Sequence, residues 1–352
     1  DMTEKLTASV VGGGMGGKLS LSALHASERF ELVALADVKP EVRAALAEQY
    51  PGLRTYPNHE AMFAGGPTDV VCVSTYPPSH EQVALDALAL PLKGILVEKP
   101  LGHTAASGRR ILEAVRAAGL PMAVPHGMLV NPTPRAIIDR VQRGEIGDLK
   151  LVEIQCRGWD IINAGIHWLN FVVVLTGCEP FEYVMAVCES STRTYRDGMQ
   201  VETTAVTYAQ TQTGIRVVMQ TGDETLVNRE GKATLFRLVG TEGQIEFWGW
   251  ENAYHLLNAE HPHGETFSPD PLPGSAHQRH LEKMAEMIGE PDYTIPESSL
   301  LALEVCEGAY LSSRHGCKVT CPVDQFVPPA PVDWDPGVPY SGQDGGRDGR
   351  KL

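Results

Sequence analysis

Thr7-Ala8-Ser9-Val10-Val11 is a short apolar run that breaks into Gly12-Gly13-Gly14-Met15-Gly16-Gly17, and about twenty residues later Leu32-Val33-Ala34-Leu35-Ala36 ends on Asp37. In order these are a strand, a glycine turn, a helix start, a second strand and an acid, all within one βαβ unit. Gly12 permits the tight turn, Gly14 lets the backbone approach a pyrophosphate, and Gly17 allows close helix–strand packing. The free N–H groups at the helix start, from Met15 onward, face the phosphates. A carboxylate at the position of Asp37 accepts hydrogen bonds from ribose hydroxyls and repels a 2′-phosphate. The residues that follow it, Val38-Lys39-Pro40, include no arginine. The pattern therefore predicts a dinucleotide site that takes NAD rather than NADP.

The chain of 352 residues is long enough for two domains, and its 43% hydrophobic and 21% charged content is that of an ordinary globular protein. A formal net charge of −15 argues against nucleic-acid and anionic-membrane partners. No apolar stretch reaches transmembrane length, and the first residues lack a signal-peptide pattern. The seven cysteines are scattered, and the close pair Cys317 and Cys321 has no second pair or histidine cluster beside it. No metal site and a reduced, cytoplasmic setting are the expectation.

Up to about residue 125, apolar strands at 7–11, 31–36, 69–74, 94–97 and 121–125 alternate with helical stretches at 17–26, 40–48, 80–89 and 105–118. Alternating units of this kind build a doubly wound parallel sheet. Beyond 125 the pattern changes. A helix at 132–144 ends in Gly144-Glu145-Ile146-Gly147, and β-branched and aromatic strands follow at 149–156, 182–190, 201–211, 214–221, 233–239 and 244–250. One helix is inserted at 161–176, and two more are expected near 275–288 and 297–314. The fold class is α/β: a Rossmann domain over 1–125, an α+β domain with a large, mostly antiparallel open sheet over 126–325, and a Pro/Gly-rich tail over 326–352. Trp334 and Tyr340 could anchor that tail on a neighbouring subunit, or the tail could be floppy.

Two clusters carry candidate chemistry. Val97-Glu98-Lys99-Pro100 closes the strand at 94–97, on the carboxyl edge where ligands bind in open α/β sheets. A lysine there, with a pKa lowered by burial, can serve an alcohol–carbonyl interconversion. In Asp160-Ile161-Ile162-Asn163-Ala164-Gly165-Ile166-His167, positions 160, 163 and 167 share one helix face, and the histidine can exchange a proton with a substrate hydroxyl.

Together with the glycine turn and Asp37, Glu98-Lys99-Pro100, the Gly144–Gly147 turn and Gly165-Ile166-His167 make the chain resemble the Gfo/Idh/MocA family over residues 7–323. Those proteins are NAD(P)-dependent oxidoreductases acting mainly on sugars and inositols. The resemblance implies that Lys99 and His167 are the catalytic pair and that a cis peptide precedes Pro100. It also implies that Thr75 and His80, in and after the loop Thr75-Tyr76-Pro77-Pro78, border the cofactor together with Glu98. The open sheet is implied to join subunits into a dimer or tetramer.

The departures bear on substrate and direction. Asn163 stands where the family usually has an aspartate, and an amide cannot accept a proton, so His167 assisted by Lys99 becomes the base, and Asn163 is expected as a third catalytic residue that holds the developing carbonyl oxygen with Lys99. Asp160, one turn earlier, is the candidate to supply the missing charge. Arg157-Gly158-Trp159-Asp160 replaces a run of glycines, and His126 follows the strand at 121–125. Arg157, Trp159, Asp160, Asn163 and His126 are the candidate substrate contacts. The expected function is NAD-dependent oxidation of a sugar hydroxyl. Two alternatives stand beside it: a redox-neutral, glycoside-cleaving enzyme that retains its NAD and works through a 3-keto intermediate, and a catalytically silent NAD-binding sensor or scaffold.

Overall fold

In a computed structural model describing residues 4–189, 194–227 and 231–330, six parallel strands form the first sheet. They are β1 (Leu6–Val11), β2 (Phe30–Ala36), β3 (Arg54–Tyr56), β4 (Val70–Val73), β5 (Gly94–Val97) and β6 (Met122–Ala123), in the order β3-β2-β1-β4-β5-β6. The helices between them are α1 (Met15–Ala26), α2 (Pro40–Gln49), α3 (His59–Gly65), α4 (His80–Leu88) and α5 (Ala105–Ala117). Successive strand side chains point to opposite faces, and both faces are covered. Val10, Cys72 and Leu96 pack with Leu21 and Leu24 of α1, whereas Val11, Val73 and Val97 pack with Met62, Val83 and Ile111 of the other helices. The strand order reverses between β1 and β4, which opens a crevice at their carboxyl ends. Neither β3 nor α3 is apparent in the sequence, because Arg54-Thr55-Tyr56 is too short and too polar to show a strand period.

The rest of the chain adds α6 (Pro132–Gln142), β7 (Leu149–Arg157), α7 (Ile166–Leu175), β8 (Phe181–Glu189), β9 (Thr194–Arg196), β10 (Met199–Val201), β11 (Thr204–Thr211) and β12 (Arg216–Gly222). Then come β13 (Thr234–Gly240), β14 (Gly243–Phe247), β15 (Tyr254–Asn258), β16 (Glu265–Phe267), α8 (Ala276–Glu286), α9 (Thr294–His315) and β17 (Val319–Thr320). Nine of these strands form the second sheet, β16-β15-β14-β13-β7-β12-β11-β8-β17, which is antiparallel except where β7 runs parallel to β12. One face packs against the apolar α7 and against α9, while Met185, Val187 and Val206 stand exposed on the other. α8 leaves this sheet and lies against α1 and the β5–β6 edge of the first.

Three expectations change. The strand read at 201–211 breaks at Glu202-Thr203, and its first part pairs with β9 as a separate two-stranded ribbon. The strand read to residue 250 ends at Phe247, and a turn carries Trp250 to the ring of His167. The helix read from 161 opens with a π-helical turn, Ile161–Gly165, in which Gly165 N–H reaches Asp160 O five residues back at 3.1 Å. Residues 331–352 of the tail, with Trp334 and Tyr340, lie outside the described residues. Among the described residues, no helix is long and apolar enough to cross a membrane.

Candidate active site

The glycine turn between β1 and α1 is fixed by contact distances. Gly12 has φ +98°, and a Cβ there would lie 2.4 Å from Ser74 O. A Cβ on Gly17 would lie 1.7 Å from Gly12 O, so only glycine lets α1 start this close to β1. At Gly14 a Cβ would have no heavy atom within 4 Å: the backbone there faces open space. α1 has no side-chain cap and no acid in its first turn, so its leading N–H groups are available to an anion. Met15, 81% exposed, stands at the mouth of the turn. Asp37 follows β2 and accepts hydrogen bonds from Gly13 N–H at 2.7 Å and Lys39 N–H at 2.8 Å, which aims its carboxylate at the turn. These residues fit a dinucleotide: an uncapped helix end for the pyrophosphate and a carboxylate with lone pairs left for ribose hydroxyls.

The loop after β4 departs from expectation. Thr75 Oγ accepts from Ser79 Oγ at 2.7 Å, and Tyr76 is exposed beside it. His80, expected beside the cofactor, is 1% exposed and lies beneath this loop. Its Nε2 donates to Thr75 O at 2.8 Å, and its Nδ1 lies 3.3 Å from Leu101 O. The ring braces the loop from inside the fold.

At the end of β5, Glu98 is buried under the start of α1 and accepts from His277 Nε2 of α8 at 2.6 Å. Burial pushes its carboxyl up, but His277, Lys99 and His80 together hold it below the ordinary value. The Lys99–Pro100 peptide bond is cis. Lys99 Nζ donates to Asn163 O at 2.7 Å, joining the first sheet to the π-helical turn. Burial lowers the Lys99 pKa, against the opposing charges of Glu98, Asp197 and Asp160.

The π turn also reassigns the neighbouring polar residues. The sequence places 160, 163 and 167 on one helix face; the extra residue in the turn breaks that register. Asp160 caps the turn and is fully buried. Its two oxygens accept from Asn163 N–H at 2.8 Å, Asn163 Nδ2 at 3.0 and 3.1 Å, and Arg196 at 2.8 Å. Asp160 therefore presents nothing to a substrate. Asn163 serves this site through its backbone carbonyl, because its amide nitrogen is taken by Asp160.

His167, in the first turn of α7, is half-buried. Its ring lies edge-on to His126 and Trp250, with centroids 5.4 and 5.5 Å away. His126 was a candidate substrate contact, but it is fully buried behind His167, with Nδ1 3.4 Å from His167 Nδ1 and Nε2 2.7 Å from Ser299 Oγ. Burial is the main force holding His167 and His126 well below the ordinary histidine value of 6.5, with the charge of Lys99 adding to it. Burial likewise lowers His80 and brings His280 to about 4.

These four rings make a prediction about stability. The unfolded chain takes up protons near pH 6.5 while the folded one resists, so acid favours unfolding from that pH downward. Each ring costs about 1 kcal/mol per pH unit below it. A melting curve at pH 5.5 is expected on the order of 5–10 °C below that at pH 7.5, and an unchanged midpoint would refute the neutral, buried assignment.

Trp159, just before the π turn, is half-exposed, with the Arg196 guanidinium 4.9 Å over its ring. Arg157, at the end of β7, is exposed. The β9–β10 turn reaches the first sheet's loop, where a Cβ on Gly198 would meet Tyr76 at 3.2 Å. His277, Ser299, Trp250 and Arg196 were missed in the sequence. Trp248-Gly249-Trp250, an aromatic pair around a glycine at a strand end, was the one usable signal; no spacing marks the others.

Residues 6–126 match the family described as the oxidoreductase family, NAD-binding Rossmann fold. D-apiose dehydrogenase of Paraburkholderia graminis is 23% identical over 345 residues, covering 89% of each chain. Inositol 2-dehydrogenase of Acidiphilium cryptum is 28% identical over 248 residues, 68% of this chain and 72% of that one. In fold, the chain is similar to an oxidoreductase from Agrobacterium radiobacter solved with NAD+, L-tartaric acid and magnesium, at TM-score 0.76 and 18% identity, covering 90% of this chain and 98% of that one. An uncapped glycine turn opposite Asp37, on a parallel sheet joined to a large open sheet, is thus accounted for: residues 6–126 form an NAD-binding Rossmann domain of the oxidoreductase family they match, and the whole chain shares the two-sheet fold of the solved oxidoreductase.

Proposed function

We propose that the protein oxidises a secondary hydroxyl of a cyclic sugar or polyol, with Lys99 and His167 acting on the same oxygen. The observation that carries this is the Lys99–Asn163 O bond. It brings an ammonium from the first sheet to the turn that leads into His167, whose protonation its charge opposes. Held neutral, His167 takes the hydroxyl proton on its free ring nitrogen, while Lys99 stabilises the negative charge that grows on the oxygen. Bound NAD supplies the acceptor for the carbinol hydrogen and its two electrons. Trp250 offers a flat apolar face to a ring, and Arg157 offers positive charge at the rim. The names of the two relatives motivate D-apiose and inositol as the first probes.

The test is NADH formation from a sugar and polyol panel that starts with these two. With any substrate the panel identifies, His167→Ala should lower kcat about 10²- to 10⁴-fold; turnover unchanged by that substitution would contradict the assignment. Glycoside cleavage without net NADH would favour the retained-cofactor alternative instead. Asp37→Ser should weaken NAD about tenfold and admit NADP, because it removes both the acceptor for the ribose hydroxyls and the repulsion of a 2′-phosphate. Paired titrations of the two cofactors would show this, and an unchanged preference would count against Asp37. We also place a second copy of the chain on the exposed sheet face, where Met185, Val187 and Val206 form an apolar patch. Val187→Glu should then shift the protein toward a smaller species in sedimentation; a wild-type protein already monomeric would rule this out.

A further inference from the structure

Histidine bases need a partner that decides which ring nitrogen carries the proton. Among the described residues, no carboxylate is hydrogen-bonded to His167. Asp160, the nearest acid in sequence, is bound to Asn163 and Arg196. Behind His167 there is instead a line of neutral groups. Its Nδ1 lies 3.4 Å from His126 Nδ1, and His126 Nε2 lies 2.7 Å from Ser299 Oγ on α9. His126 and Ser299 are both fully buried, and the His126 carbonyl is pinned by His280 Nε2 at 2.9 Å.

We propose that Ser299 and His126 are positioning residues that hold His167 as its Nδ1–H tautomer, leaving Nε2 free to accept the substrate proton. The coupling follows from the shared contact. Two facing Nδ1 atoms can share only one proton, so the tautomers of the two rings depend on each other. If His167 donates from Nδ1, His126 must accept there and carry its own proton on Nε2, where Ser299 Oγ receives it. In this role the Ser299 hydroxyl accepts from His126 Nε2, and its own hydrogen turns away from the ring. The opposite arrangement would put the proton on His167 Nε2 and disable it as a base. In function the pair parallels the aspartate that orients a catalytic histidine. In electrostatics it differs, because a neutral partner does not stabilise an imidazolium. The groups acting on His167 are Lys99 after β5, His126 after β6 and His277 of α8, with the Trp250 and Trp168 rings beside it. His280 of α8 and Lys99 act on His126. None of these favours a proton on His167, so the acid limb of kcat/KM is expected below the ordinary histidine value of 6.5.

The inference rests on His167 being the proton acceptor, and one set of measurements separates the two. Full-length protein carrying ¹⁵N-histidine and loaded with NAD is read by long-range proton–nitrogen NMR, with assignments from His167→Ala and His126→Gln. In the wild type, His167 should show a protonated Nδ1 and a bare Nε2, and His126 the reverse. Ser299→Ala, which removes an oxygen without adding bulk, should exchange both patterns and lower kcat 10- to 100-fold with little change in KM. Ser299→Cys, retaining a weak acceptor, should fall between them. A wild-type His167 protonated on Nε2, or rings and kcat indifferent to Ser299→Ala, would overturn the proposal. If His167→Ala abolishes turnover while Ser299→Ala changes nothing, only the orienting pair is refuted. If His167→Ala itself keeps full turnover, the base assignment fails first.

Discussion

Replacing Lys99 by methionine is expected to lower kcat/KM about a thousandfold, about 4 kcal/mol of transition-state stabilisation. The methionine keeps the length and apolar stem but removes the ammonium, so the developing charge on the substrate oxygen loses its counter-charge. Two further effects follow from the contacts. Asn163 O loses its partner at the π-helical turn, and His167 is released from the positive charge that helps hold it neutral. The acid limb of the residual activity should therefore move up toward the ordinary histidine range. Lys99→Arg should recover little of the rate, since the planar guanidinium does not reproduce the compact ammonium at the end of β5. Steady-state kinetics across pH reads all three expectations. A Lys99→Met enzyme within tenfold of wild type would remove this residue from the chemistry.

The second large effect lies in the glycine turn, where two substitutions of the same size should behave oppositely. In Gly17→Ala the new methyl would sit 1.7 Å from Gly12 O, so α1 must move away from β1. The cost is expected to be about 3 kcal/mol or more of stability, with NAD affinity reduced at least about a hundredfold, since the helix end is displaced. In Gly14→Ala the methyl meets nothing in the protein. Its melting temperature should stay near wild type, yet NAD should still bind more weakly, because the added methyl obstructs the backbone's approach to the pyrophosphate. Calorimetric melting and NAD titration of both variants test this. Equal losses of stability would mean that the turn is not packed as described.

Much of this architecture is legible in the sequence because it is local. Gly12, Gly14, Gly17 and Asp37 are read by spacing, and the structure explains each spacing by a clash, an opening or a hydrogen bond. The central Rossmann strands β4 and β5 are continuous apolar runs, as strands covered on both faces must be. What escapes the sequence is what depends on partners distant in the chain. His80 has the position of a cofactor residue, but only its contacts with Thr75 and Leu101 reveal it as a brace. Asp160 and His126 have polar chemistry suited to a substrate, yet Arg196 and Ser299 claim them, and those partners lie 36 and 173 residues away. The π turn leaves no periodic signature, since one additional residue in a single turn cannot be distinguished from the start of an α-helix. Short edge strands such as β3 and β17 are equally invisible, because their register is imposed by the neighbour they join.

The account turns on Lys99 and His167 meeting one substrate oxygen, and a double-mutant cycle measures this most directly. Using the substrate that the NADH assay identifies, kcat/KM is determined for the wild type, Lys99→Met, His167→Ala and the double variant. Residues acting on the same atom work as a unit, so the double variant should be no more than about tenfold slower than the slower single one. Losses that simply multiply, about a thousandfold for each residue, would show two groups acting independently and would contradict the shared-oxygen site.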